Sequence, residues 1–250
     1  MTPLAVESCD LAMDRVARRL ADELGLPLGQ ADITLQVQWD QLSLYAQGQG
    51  ADAPGRMTPI ATDLASIDVT GPLGRSLKQP IARAVGLRKG NPHRPTVLDT
   101  TAGYGEDAWL LAGLGCTVTA VERSGVMALL LADALRRAGQ TAPDIAERIT
   151  LIHANAIQLM DQPCDYEVVY VDPMFPAKRK SARERKAMWV LRHMVGQDDD
   201  AQLLLEAALR TATRRVVVKR PQHAQPMAGR VPSATHRGKS HRYDIYATSI

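Results

Sequence analysis

Val97-Leu98-Asp99-Thr100-Thr101-Ala102-Gly103-Tyr104-Gly105-Glu106-Asp107-Ala108 is the stretch whose reading decides the fold. A short apolar strand ends in an acid, and two glycines two apart lead into a helix expected to run to Leu114 and to stop at Gly115. Glycines at that spacing let the backbone bend tightly and approach a ligand closely. Gly103 to Ala108 fits the G-x-G-x-x-G/A pattern of dinucleotide sites, so an NAD-dependent oxidoreductase is one reading. Asp99 argues against it. A carboxylate at the strand end repels a pyrophosphate and favours a cationic amine or sulfonium. Glu122, 23 positions later, closes the next strand, where an acid accepts both hydroxyls of an adenosine ribose.

Downstream the pattern repeats. Strands are expected at 96–100, 117–121, 149–152, 168–171, 215–218 and 243–247, and helices at 106–114, 125–138 with Ser124 as cap, near 182–195, and at 201–212. Such alternation makes an α/β fold with a mostly parallel sheet covered on both faces. The third of these strands runs into His153-Ala154-Asn155-Ala156, which sets Asn155 towards an adenine.

Upstream, residues 1–75 read as a small N-terminal α/β appendage. It has a helix over 8–24, capped by Ser8 and ended by Gly25, then a hairpin across Ile33–Trp39 and Leu42–Leu44. A strand follows at 64–69. Residues 76–95 form a linker with a short helix at 81–85 and the polar turn GLRKGNPHRP, and residues 96–250 form the main domain.

Over 250 residues, 45% hydrophobic and 23% charged content exclude disorder as the default. A net charge of +3 is only mildly basic, so the placement of the cations matters more than their sum. Cys9, Cys116 and Cys164 form no C-x-x-C pair, and no D/E/H/C cluster has metal-ligand spacing, so no metal is expected. No apolar run is long enough for a membrane span, and the N-terminus has no basic start followed by an apolar stretch. A soluble, cytoplasmic protein is the expectation.

The chemistry is written in Glu167-Val168-Val169-Tyr170-Val171-Asp172-Pro173-Met174-Phe175-Pro176. A base amine is a poor nucleophile because its lone pair is delocalised into the ring. It needs acceptors that draw its N–H bonds out of plane and stabilise developing positive charge. The Asp172 carboxylate and the carbonyl of Pro173 are two such acceptors, held by proline's restricted geometry. Phe175, the only phenylalanine, is suited to stack on a flipped base. A basic run follows, including Lys178, Arg179, Lys180 and Arg183. Further cations lie at Arg214, Arg215, Lys219 and Arg220, then at His236, Arg237, Lys239, His241 and Arg242. Together they are expected to rim the crevice as a phosphate-binding surface, with RNA as the partner. A same-fold enzyme acting on a DNA base or a protein amide, and a non-catalytic RNA-binding module, stay open on these residues.

Several segments together are more specific than the general pattern: VLDTTAGYGEDAWLLAGLGCTVTAVER, LIHANA, VVYVDPMFPAKRKSA, VVVKRP and HRYDIYAT. They resemble the bacterial RsmJ family, which methylates the 2-amino group of a guanosine in small-subunit (16S) ribosomal RNA. The likeness covers about residues 80 to 250. It implies a Rossmann-like class I methyltransferase fold, S-adenosylmethionine as cofactor, and small-subunit ribosomal RNA or the assembling small subunit as partner. By matching position it implies cofactor contacts from Glu106, Asp107, Glu122, Arg123, Asn155, Ala156 and Asp172, beside Asp99, Gly103 and Gly105. Glu106 stands where the family often has a basic residue, and Asn155-Ala156 where it has a pair of serines.

Overall fold

In the computed structural model, residues 3–46, 59–173 and 200–248 are described. Five parallel strands form the centre: β4 (Thr96–Asp99), β5 (Thr117–Glu122), β6 (Ile149–His153), β7 (Tyr166–Val171) and β8 (Ala212–Pro221). The antiparallel strands β10 (His241–Ala247) and β9 (Ala234–Arg237) extend the sheet, in the order β6-β5-β4-β7-β8-β10-β9.

Period-two alternation sorts the side chains onto two faces. Val97, Val168, Tyr170 and Val217 pack with α2 (Pro80–Ala84), α3 (Glu106–Gly113) and the inner side of α4 (Gly125–Gly139). Leu98, Val169, Val171, Val216 and Val218 pack on the other face with α6 (Ala156–Met160) and α7 (Ala201–Thr211). The short α5 (Pro143–Ala146) lies against α3 and α4. From β4 the chain builds β5 and β6 to one side, then crosses to β7 and β8 on the other. That reversal opens a crevice at the carboxyl ends of β4 and β7.

The amino-terminal segment makes a second sheet from β1 (Leu4–Ser8), β2 (Ile33–Val37) and β3 (Leu42–Ala46). With α1 (Asp14–Leu24) it shares an apolar cluster with Val126, Met127 and Leu130 of α4. The hairpin is as expected, but the helix starts later than expected. Residues Leu4–Ser8 pair parallel with β2, and a 3-10 turn at Leu11–Met13, capped by Asp10, precedes α1. Ser8 therefore ends a strand, and its hydroxyl bonds the Asp14 carboxylate. Gly25, at φ +63, does terminate α1.

The strand expected at 64–69 is a 3-10 turn, Leu64–Ser66, whose Leu64 still reaches the core along with Val69. β9, α5 and α6 were not expected: four or five residues are too few for a periodic pattern to register. The basic helix expected near 182–195 lies outside the described residues. Among the described residues no helix is long and apolar enough to cross a membrane.

Candidate active site

The glycine loop sits at the carboxyl end of β4. Gly103 and Gly105 both take positive φ, +52 and +77, which β-carbon-bearing residues adopt only at a cost. They differ in surroundings. A Cβ on Gly105 would overlap Leu131 Cδ1 of α4, whereas one on Gly103 would meet only the Thr101 carbonyl, at 3.9 Å. Gly105 lets helix pack on helix; Gly103 leaves the crevice open. Glu106 and Asp107 occupy the first turn of α3, where acids suit the helix dipole.

Glu122 ends β5 and is 3% exposed. Its Oε2 accepts the Gly103 N–H at 2.9 Å and its Oε1 the Ser124 N–H at 2.7 Å, so the carboxylate ties the glycine loop to the start of α4. Burial pushes its pKa up, against those backbone donors and Arg123. With the Arg123 backbone N–H as a further donor, the carboxylate's remaining lone-pair capacity can take a ribose hydroxyl. Arg123 meets Asp200 at 3.3 Å, and Asn155 caps α6 by accepting the Ile157 N–H at 2.9 Å. Ala156 is buried beside it.

At the switch point, β4 and β7 are laced together. Tyr170 O accepts from Thr100 N at 3.0 Å and from Thr100 Oγ1 at 2.9 Å, and Asp172 N donates to Thr101 Oγ1 at 2.7 Å. Asp99 is 2% exposed, and its Oδ1 accepts the Thr101 N–H at 3.1 Å. Burial pushes its carboxyl up to about 8; the charges of Asp107 and Asp172 add to this, while the Thr101 N–H and Lys219 oppose it.

Lys219 reaches in from β8, with Nζ 2.6 Å from Asp107 Oδ2 and 3.0 Å from Asp172 Oδ2. Tyr170 OH donates to the same Asp107 oxygen at 2.6 Å. Burial disfavours ionised Asp107, but Lys219 and the Tyr170 hydroxyl outweigh it and hold the carboxyl below its usual range. Burial likewise disfavours charged Lys219, yet Asp107 and Asp172 raise its pKa well above the ordinary value.

The sequence reading put Lys219, Arg220 and Arg242 on an RNA-facing rim, and the structure turns all three inward. Lys219 belongs to the carboxylate cluster. Arg220 is 7% exposed and donates to the Gln225 carbonyl. Arg242 makes a two-pronged pair with Asp244 at 2.9 Å on both sides, and also bonds the carbonyls of Pro221 and Gln222. Arg237 and Lys239 are exposed. Pro173 is buried behind Asp172; Phe175, Lys178, Arg179, Lys180 and Arg183 lie outside the described residues. Tyr170 and Thr101 went unread because nothing local in the sequence distinguishes a tyrosine within a strand or a second threonine in a turn. A cleft of about 600 Å³ lies at the other end of the sheet, lined by Arg94, Gly115 and Arg148 ahead of β4, β5 and β6. It is remote from the carboxylates.

The family model described as "Putative SAM-dependent methyltransferase" matches residues 19–248. The ribosomal RNA small subunit methyltransferase J of Thioalkalivibrio sulfidiphilus is 45% identical over 246 residues, covering 93% of this chain and 92% of that protein. Its counterpart in Dechloromonas aromatica is 47% identical over 250 residues, covering 94% and 96%. The chain belongs to the ribosomal RNA small subunit methyltransferase J (RsmJ) family. The crystal structure of an S-adenosylmethionine-dependent methyltransferase from Neisseria gonorrhoeae superposes with a TM-score of 0.70 at 31% identity, over 98% of this chain and 96% of that one. The fold is the Rossmann-like class I methyltransferase fold, with S-adenosylmethionine as cofactor. The likeness to RsmJ proteins reaches well past the stretch from residue 80 onward and takes in nearly the whole chain.

The residues present fit that cofactor. Asp107 and Asp172 set two carboxylates against the one ammonium of Lys219, with Asp99 largely protonated beside them near neutral pH, which leaves the crevice an excess of negative charge suited to a sulfonium and an amino group. Glu122 offers acceptors for a ribose diol, and Gly103 leaves room for close approach.

Proposed function

We propose that this chain methylates the exocyclic 2-amino group of a guanosine in small-subunit ribosomal RNA. The observation that carries the reading is the Asp172 carboxylate: 35% exposed, at the carboxyl end of β7, braced by Lys219 and next to the glycine loop. The names of the relatives support the RNA class, and the D-P-M-F-P sequence after β7 supports a planar amine as acceptor.

Bound S-adenosylmethionine supplies an electrophilic methyl group on a sulfonium. Glu122 and the glycine loop would hold its nucleoside end, with Arg123, Asn155 and Ala156 around it. Asp172 and the Pro173 carbonyl would accept hydrogen bonds from the amine and orient its lone pair for attack. On accepting the methyl group the amine would give up one N–H proton, and Asp172 would pass it to water. Orientation of this kind supplies up to roughly 7–11 kcal/mol of a reaction's barrier lowering. Phe175 stacks on the base, and Lys178, Arg179, Lys180, Arg183, Arg237 and Lys239 meet RNA phosphates. A cytoplasmic site of action follows from that substrate.

The test is mass-spectrometric mapping of small-subunit RNA, naked and in particles, incubated with S-adenosylmethionine and either the wild-type protein or Asp172→Ala. N2-methylguanosine appears with the wild type alone. Methyl groups on another base position, on DNA or on protein, or full activity in Asp172→Ala, overturn the proposal.

A further inference from the structure

The charged side chain of Lys219 links three parts of the site: β8, which carries it, the start of α3, and the end of β7. It lies on the same sheet face as Val217, two residues before it, and is paired in register with Tyr243 of β10. Asp107 is its fixed anchor, because Asp107 Oδ2 also takes the hydroxyl of fully buried Tyr170. Tyr170 in turn lies 6.4 Å, ring to ring, from Tyr243, whose hydroxyl is 2.9 Å from His241 Nε2. The same ammonium stands 3.0 Å from Asp172 Oδ2.

Burying an ammonium between carboxylates gives little net stability, since desolvation offsets most of the attraction. What such a group provides is direction. We infer that Lys219 is a positioning residue for methyl transfer: anchored on Asp107, it fixes the rotation of the Asp172 carboxylate towards the attacking amine and couples the glycine loop to the catalytic loop. This rests on the assignment of Asp172 as the amine's acceptor. One oxygen of Asp172 is turned to the lysine, which sets where the other points. Without the cation, Asp172 loses this contact, and the acids Asp99 of β4, Asp107 of α3 and Asp172 of β7 face one another beside Tyr170, Tyr243 and His241.

The experiment compares wild type, Lys219→Met, Lys219→Arg and Asp172→Ala for kcat, KM for both substrates, the pH profile of kcat, and the Kd of S-adenosylhomocysteine by calorimetry. Misplacement of a reacting group by about 1 Å costs on the order of 100-fold. Lys219→Met is therefore expected to lower kcat by about 10- to 100-fold, with KM and Kd moving less than about threefold. Its acid limb should shift to higher pH, because carboxylates that repel one another hold protons longer. Lys219→Arg, which keeps the charge, should leave the limb in place and retain more of kcat. Should Lys219→Met fail to fold, Lys219→Gln carries the same expectation. Unchanged kcat in the uncharged variant, with Asp172→Ala inactive, overturns the role of Lys219 alone. A loss confined to Kd for S-adenosylhomocysteine also overturns it. Full activity in Asp172→Ala overturns the reading beneath it.

Discussion

Replacing Gly105 with alanine separates the two duties of the glycine loop. At φ +77, alanine costs about 1–2 kcal/mol for the left-handed backbone alone. Its Cβ would also overlap Leu131 Cδ1, and Leu131 is 1% exposed, so it has no solvent to swing into. Overpacking of that kind costs about 1–3 kcal/mol. The sum is about 2–5 kcal/mol, which for a chain of this size lowers Tm by roughly 5–15 °C. Gly103→Ala carries the backbone cost but meets open space, so its Tm falls by only about 2–6 °C. Binding reverses the order. At a hundredfold excess over Kd, S-adenosylhomocysteine stabilises the folded state by about 2.7 kcal/mol. Gly105→Ala should keep most of that gain, whereas Gly103→Ala, with its methyl facing the crevice, should lose most of it. Thermal unfolding of both variants with and without the ligand reads all four quantities. Equal losses of Tm in the two variants, or an undiminished ligand-induced gain in Gly103→Ala, would refute the reasoning.

Asp99 titrates near pH 8 in the folded chain against an ordinary value of 3.8, so the fold favours its protonated form. Its contribution to stability is complete below about pH 4 and is lost as pH rises through 8. Asp99→Asn, which mimics the protonated acid, should therefore gain on the wild type between pH 5 and pH 8 in urea denaturation; a constant difference contradicts this. Arg242→Met leaves the fully buried Asp244 without its ion-pair partner, a change that costs about 3–5 kcal/mol. Its Tm should fall by roughly 6–15 °C, and a fall under about 2 °C shows that Arg242 is not a structural strut. Arg237→Ala combined with Lys239→Ala should flatten the dependence of log K for RNA on log salt by roughly 1–2 units, with S-adenosylhomocysteine affinity unchanged. An unaltered slope removes both residues from the RNA surface.

The amino-acid sequence alone determined the central sheet, the glycine loop and the two acids that close β4 and β5. Each of these is a local signal: a run of β-branched residues, two glycines in a tight turn, a charge where an apolar stretch stops. Gly25, Ser124 and Gly115 marked helix ends for the same reason, since capping is settled within a few residues. The strand Leu4–Ser8 was missed because a parallel strand exists only through its partner, here β2, nearly thirty residues away. β9 is polar and stands at the sheet's edge, held by β10 alone. The basic residues were misjudged for a related reason. In the sequence Lys219, Arg220, Arg237, Lys239 and Arg242 are equivalent cations near strand ends. Whether each meets solvent or a carboxylate depends on the face its strand turns inward and on what lies across the sheet. Lys219 finds Asp107 and Asp172, 112 and 47 positions away in the chain, and Arg242 finds Asp244 two residues on, along its own strand. Local backbone preference wrote the scaffold into the sequence; burial, a property of the assembled fold, decided which charges became the interior of the site and which remained at the surface.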